Sequence, residues 1–301
     1  MDQFKFDPSN VWFTSDTHFY HENILRFCNR PFGSIEEMNE ELIRRWNETV
    51  PEDGIVFHLG DFCLGHPGDW NDILNQLNGQ IYLILGNHDM KYIKQGFMKR
   101  FVYVTQQMSI RVGGQAIILN HNPFLCYGGA YRNVWQLFGH VHSGPYSHTG
   151  LDIPRLQYLF PRQYDVGVDN NDFRPVSFTE VKAKIDAQLA AARQAAGLPN
   201  KEAANGTRRV VFLDSSIAPS NAEQEEAFAR TREVADDVIE ITAEDVLSLK
   251  TEIGKRVALL SGNVRYVYIG TVPLDDFRCV CVDKAIGITQ GVVDTAIAIL
   301  K

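Results

Sequence analysis

Residues 11–18 read VWFTSDTH: four residues of strand character, Val11–Thr14, run straight into a carboxylate and an imidazole, Asp16 and His18. On an extended segment, side chains two apart point the same way, so this pair is expected to converge on one ion. The same construction recurs down the chain. Short apolar runs at Ile55–Leu59, Ile81–Leu85, Ala116–Leu119 and Val134–Phe138 lead into HLGD ending at Asp61, LGNHD holding Asn87, His88 and Asp89, LNH ending at His121, and FGHVH presenting His140 and His142. Each run is bounded by Gly, Asn, Asp or His, the pattern of a buried strand, although the last also fits the end of a helix. Every polar group falls at the carboxyl end of its run, where open α/β sheets place their ligands. Gly60, Gly86 and Gly139 stand just before the ligands and allow the backbone to turn tightly.

Between the runs the spacing is helical, above all in Ser34–Val50, where Ile35, Met38, Leu42, Ile43 and Trp46 recur at steps of three and four behind Ser34 as N-cap. Strand alternating with helix predicts an α/β layered domain. The Ala-rich stretch Glu180–Ala196 favours helix, and the polar GLPNKEAANGT that follows predicts a linker over 197–207. Residues 1–196 therefore form the first domain and 208–301 a small α/β domain of unassigned role. In the latter, RRVVFLD, KRVALLSG, YVYIG and RCVCVD read as strands, and Asn221–Val234 and Thr242–Ile253 as helices. It holds no GxGxxG or GxxxxGK[ST], and its SGN at 261–263 is too short for a phosphate loop. Asp214 at the end of RRVVFLD reads either as a functional acid or as a cap.

Bulk composition narrows the partners. Lys and Arg number 29 against 37 Asp and Glu, a formal net charge of −8, which disfavours nonspecific nucleic-acid binding and favours small substrates. Cys28, Cys63, Cys126, Cys279 and Cys281 are scattered without a CxxC pair and read as reduced thiols. With no signal-like amino terminus and no run of about 18 apolar residues, a cytoplasmic, membrane-free protein is expected.

Taken in order, Asp16-x-His18, Gly60-Asp61, Gly86-Asn87-His88-Asp89, His121 and Gly139-His140-x-His142 resemble the signature of the calcineurin-like metallophosphoesterase superfamily. The wording FTSDTHFYHENILRFCNRPF, LILGNHD, LNHNPF, LFGHVHSG and YDVGVDNNDFRPVSFTEV is similar to a compact bacterial and phage subgroup described only as phosphoesterases, over about residues 10–185. The resemblance implies a four-layer α/β/β/α sandwich followed by the small α/β domain. It implies two divalent transition-metal ions, one held by Asp16, His18 and His142, the other by Asn87, His121 and His140, with Asp61 bridging. Carboxylates mixed with imidazoles suit borderline divalent ions; manganese is the first expectation, and the same donors serve iron, zinc, nickel or cobalt. Two such ions about 3.5–4 Å apart hold a bridging hydroxide that attacks the phosphoester. His88 occupies the position of a general acid, and Asp89 is expected to orient its other ring nitrogen.

The implied activity is hydrolysis of a small phosphomonoester or phosphodiester, with a nucleotide or cyclic nucleotide among the candidates. Two alternatives remain at this level: a metal-dependent nuclease, whose groove would draw on Arg26, Arg30, Arg44 and Arg45 with Phe27 and Trp46, and a noncatalytic scaffold. One departure stands out. FCLG follows Asp61 where the protein phosphatases of this superfamily carry a phosphate-binding Arg, so phosphate recognition falls to other groups, with Arg26, Arg30 and Arg132 as candidates against structural ion pairing. His21 reads equally as a substrate contact or a helix opener, His58 as a core residue, and His66 and His148 as loop residues, of which His148, six residues after His142, is the better candidate for the site rim. Asp169 and Asn170 read as site rim or as a closing turn.

Overall fold

The structure, a computed structural model, describes residues 4–95, 97–130, 133–145, 152–198, 207–217, 219–242, 244–260, 263–274, 278–282 and 286–301. The expected Arg132 and His148 contributions, and most of the linker, lie outside these residues. Contacts divide the chain into two compact units, Met1–Ala130 with Val134–Gln188 and, chiefly, Leu189–Lys301.

The first unit begins with β1 (Phe4–Phe6) and β2 (Val11–Thr14), followed by α1 (Glu22–Phe27), α2 (Ile35–Thr49), β3 (Ile55–His58), α3 (Pro67–Gln76) and β4 (Gln80–Ile84). It continues with β5 (Tyr103–Thr105), β6 (Gln107–Val112), β7 (Gln115–Asn120), β8 (Trp135–Phe138), β9 (Gln163–Asp165), β10 (Val176–Ser177) and α4 (Phe178–Ala195). Two five-stranded sheets result, ordered β10-β2-β3-β4-β5 and β1-β6-β7-β8-β9. The run Val134–Phe138, ambiguous in sequence, is a strand because it pairs in parallel with β7 and β9.

Alternation along the strands sorts their side chains between layers. Val56, Ile81 and Leu83 face helices α2 and α3, where they join Met38, Leu42, Trp46, Trp70 and Ile73 in one buried cluster. Their neighbours Phe57 and Tyr82 face the other sheet and meet Phe6 of β1 edge-on, at ring separations of 5.1 and 5.8 Å. On the far side, Phe178 of α4 stacks on Trp135 of β8, and Gln188 donates to the Gln163 carbonyl at 3.0 Å. Helix, sheet, sheet and helix therefore form four layers. Full burial of each large apolar side chain on the inner face of α2 is worth roughly 1.5–3 kcal/mol.

Helix α2 starts where its sequence says it should. Ser34 Oγ accepts from the Glu37 amide at 3.2 Å, and Glu37 Oε2 accepts from the Gly33 amide at 2.7 Å. At the other end Trp46 donates its indole N–H to the Asn78 carbonyl, which ties the helix to the turn before β4.

The second unit comprises β11 (Thr207–Asp214), α5 (Ala222–Val234), β12 (Asp237–Ile241), α6 (Val246–Leu259), β13 (Asn263–Gly270), β14 (Cys279–Cys281) and α7 (Gln290–Leu300). Its sheet is wholly parallel, in the order β12-β11-β13-β14. Val211 and Leu213 pack with Phe228, Val293 and Leu300 on one face, and Val210 and Phe212 with Leu249 and Ile253 on the other. Burial on both faces explains why β11 is a continuous apolar run. Two expectations are corrected here. Residues 255–259 of KRVALLSG, read as a strand, lie in the last turns of α6, because Leu249, Ile253 and Val257 continue a stripe at steps of four and parallel β12 and β13 need a helical crossover. Helix α6 correspondingly starts at Val246, behind the Asp245 N-cap, and not at Thr242. Strand β12 and helix α7 carried no strong sequence signal. Asp214 is neither free nor a helix cap: its carboxylate accepts from the Ser216 amide and from the Thr271 hydroxyl.

Replacing Ser34 with alanine removes the side-chain acceptor of the α2 cap. We expect a loss of about 1 kcal/mol, read as a lower urea midpoint with an unchanged slope and unchanged metal binding.

Candidate metal centre

Each anticipated ligand lies just past a strand end: Asp16 and His18 after β2, Asp61 after β3, Asn87 after β4, His121 after β7, and His140 and His142 after β8. The way the first pair converges differs from the expectation of extended backbone. Asp16 and His18 adopt φ of 58° and 50°, Asp61 55°, and His140 and His142 71° and 49°. Left-handed backbone at non-glycine residues costs of order 1 kcal/mol or more each and persists only where the surroundings fix it. Backbone bonds do so here: the Asp16 and His18 amides donate to the Gly60 and Asp61 carbonyls at 2.9 and 3.0 Å.

The glycines serve close approach more than turning. A Cβ at Gly86 would lie 2.2 Å from Asp61 Oδ1, and one at Gly139 would lie 2.2 Å from Asp16 Oδ2. Only Gly60, at φ 97°, also needs the left-handed conformation.

Two donor groups form. In the first, His18 Nε2 lies 3.9 Å from Asp16 Oδ1, and His142 Nε2 lies 3.7 Å from the same oxygen. In the second, Asn87 Oδ1 stands 3.0 Å from both His121 Nε2 and His140 Nδ1. Asp61 Oδ2 lies between them, 3.7 Å from His18 Nε2 and 3.5 Å from His121 Nε2. Its other oxygen, Oδ1, accepts from the His88 amide at 2.9 Å. Asp16, His18 and His142, and likewise Asp61, His121 and His140, offer ligand atoms within 4.8 Å of one another.

A divalent ion fits these donors. Asp16 Oδ1 and His18 Nε2 are buried and have no hydrogen-bond partner, an arrangement whose desolvation cost a cation would offset. Burial holds the His18 ring well below the ordinary histidine range, so it presents a neutral nitrogen. Burial, reinforced by the Asp16 charge, pushes the Asp61 carboxyl up to about 7. Burial and the neighbouring His121 lower His140.

Behind the ligands lies a layer of carboxylates. His142 Nδ1 bonds Asp169 Oδ2 at 2.7 Å, and Arg30 clamps both oxygens of Asp169 through Nε and Nη2 at 2.9 and 2.8 Å. The same guanidinium donates to the carbonyls of Thr17 and Asp16. Burial alone lowers the His142 pKa, but Asp16 and the bond to Asp169 outweigh it and hold that ring well above its usual value. His121 Nδ1 faces the Leu59 carbonyl at 2.7 Å instead. Asp165 Oδ2 accepts from the amide and hydroxyl of Ser143, pinning the loop after His142.

Arg30 is thus a structural ion-pair partner, the second of its two sequence readings, and Asp169 stands behind a ligand and not at the rim. The available signal was the position of YDVGVD at the end of a strand, β9. His58 is a core residue, bonded to Thr17 Oγ1 at 3.0 Å, and His66 opens α3. Asp89 corrects an expectation. Its buried carboxylate accepts from the amides of Asp61, Phe62 and Gly86 at 2.8, 3.0 and 2.8 Å, and no hydrogen bond joins it to His88 among the described residues. It therefore braces the two ligand loops against each other. His88 projects toward the centre, its Nε2 3.9 Å from Asp61 Oδ2.

Comparison with known proteins assigns the family. The family model of the calcineurin-like phosphoesterases matches residues 9–173. The chain belongs to that family. An uncharacterized protein of Methanocaldococcus jannaschii is 34% identical over 178 residues, covering 58% of this chain and 91% of that one. The Gene 66 protein of Mycobacterium phage L5 is 28% identical, covering 54% and 87%. A crystal structure of a protein of unknown function from Aquifex aeolicus aligns over 57% of this chain and 97% of its own, with 26% identity and a TM-score of 0.45. The family places the chain among metal-dependent phosphoesterases. Among the described residues, no helix is long and apolar enough to cross a membrane.

Two outcomes follow. Chelation should lower the melting temperature and added manganese should restore it saturably, because an ion that binds the folded state alone stabilises it; a melting point indifferent to both would contradict the assignment. Asp169→Asn, which removes the anion behind His142, should weaken metal affinity by roughly 10–100-fold in a metal titration.

Proposed function

We propose that this protein hydrolyses a small phosphomonoester or phosphodiester at a dinuclear metal centre. The observation that carries the reading is the single oxygen Asp61 Oδ2, within 3.7 Å of a ligand nitrogen from each donor group. Asp16, His18 and His142 would hold one ion and Asn87, His121 and His140 the other, with Asp61 available to both. When bound, such a pair supplies an activated water and neutralises charge on the phosphoryl oxygens. The protein's own part is to fix these donors on sheet ends and to place His88 beside them. His88, half-buried with its Nε2 3.9 Å from Asp61 Oδ2, would assist the departing oxygen.

The geometry favours a small ester over a polymer. Of the six side chains that could have lined a nucleic-acid groove, Arg30 is buried against Asp169, Arg44 and Arg45 pair with Glu41, and Trp46 is enclosed in the core, which leaves Arg26 and Phe27 exposed. A scaffold without catalysis is disfavoured by the complete donor set. Manganese is the ion we would try first.

The test is elemental analysis of purified protein followed by hydrolysis of chromogenic phosphate mono- and diesters with manganese. Two metals per chain and metal-dependent turnover are expected. Less than one metal and no hydrolysis with any divalent ion would refute the proposal. His88→Ala should keep its metals while turnover drops about 10²–10⁴-fold. Asp61→Asn should be the most damaging ligand change, abolishing turnover and lowering metal content at both positions.

A further inference from the structure

His21 stands three residues beyond the ligand His18 and has no assigned part in the chemistry. Its position at the start of α1 suggests a helix cap, but the side chain makes no capping bond. The ring turns instead toward the centre, 5.3 Å from the His18 ring and 6.1 Å from the His88 ring, centroid to centroid. Its Nδ1 is buried and has no hydrogen-bond partner among the described residues, so the nitrogen left to meet a substrate is Nε2. The exposed Phe27 closes the other side, edge-on at 6.3 Å.

The missing phosphate-binding arginine makes this arrangement consequential. The residue after Asp61 is Phe62, fully buried in the core. Arg30 spends its donors on Asp169 and on the carbonyls of Thr17 and Asp16. Arg26 lies over the Phe27 ring at 5.2 Å. Among the described residues, the imidazoles that reach the centre without belonging to either donor group are His21 and His88.

We propose that His21 contacts the phosphoryl group of the substrate, donating a hydrogen bond to a nonbridging oxygen on the side of the first donor group, in place of an arginine. This rests on the phosphoesterase reading above. A hydrogen bond to a charged oxygen is the stronger kind, so its loss should be visible in phosphate affinity.

The test is calorimetric binding of inorganic phosphate to the manganese-loaded full chain, with metal content measured alongside, for the wild type, His21→Ala and His21→Gln. His21→Ala should retain wild-type metal content and bind phosphate at least about tenfold more weakly; His21→Gln, which keeps a donor, should recover part of the affinity. In ester hydrolysis the alanine variant should raise KM more than it lowers kcat. Wild-type phosphate affinity in His21→Ala would overturn the inference while leaving the phosphoesterase reading intact, and so would loss of metal in both variants. A metal-loaded wild type that neither binds phosphate nor hydrolyses an ester would overturn both.

Discussion

Two carboxylates, Asp16 and Asp61, are buried beside the same imidazole nitrogen of His18, and the first unit is organised around that costly juxtaposition. Like charges removed from water repel strongly and lose their hydration. The response on the Asp61 side is a carboxyl pushed up to about 7. On the Asp16 side burial is outweighed by His142, His121, the Ser15 hydroxyl and the His140 amide, which donates at 2.9 Å, and the carboxyl is held below its ordinary value. A pair of divalent ions would complete the compensation that hydrogen bonds leave unfinished.

That constraint explains why so much of the surrounding structure is backbone held in unusual shapes. Five candidate ligands sit at positive φ, and Gly60, Gly86 and Gly139 stand where no side chain fits. Such strain needs bracing, and the braces are themselves charged. Asp89 gathers amides from the loops after β3 and β4, Asp165 holds the loop after β8, and Asp169 with Arg30 ties β9 to the loop after β2. Each joins elements far apart in sequence, so the centre is preorganised by tertiary contacts.

The second unit obeys a simpler rule. Its four parallel strands bury both faces under α5 and α7 on one side and α6 on the other, and its buried Arg208 pairs with Asp237. It lies outside the family match at residues 9–173.

The sequence by itself determined the central strands, the capped helix α2 and the seven candidate ligands, because apolar runs, cap chemistry and metal-ligand residue types are local properties. Its misreadings were equally local. The run at 255–259 is apolar enough for a strand, and only packing against β11 and β13 made it helix; an extended Asp-x-His was the simplest geometry, and only the contact with the β3 loop bent it. Tertiary structure alone decided that Asp61 Oδ2 falls between the two donor groups, that Asp89 braces backbone and does not orient His88, and that Arg30 serves Asp169. These roles depend on which charged groups meet after folding in a low-dielectric interior, and pairings across as many as 139 residues leave no trace in local pattern.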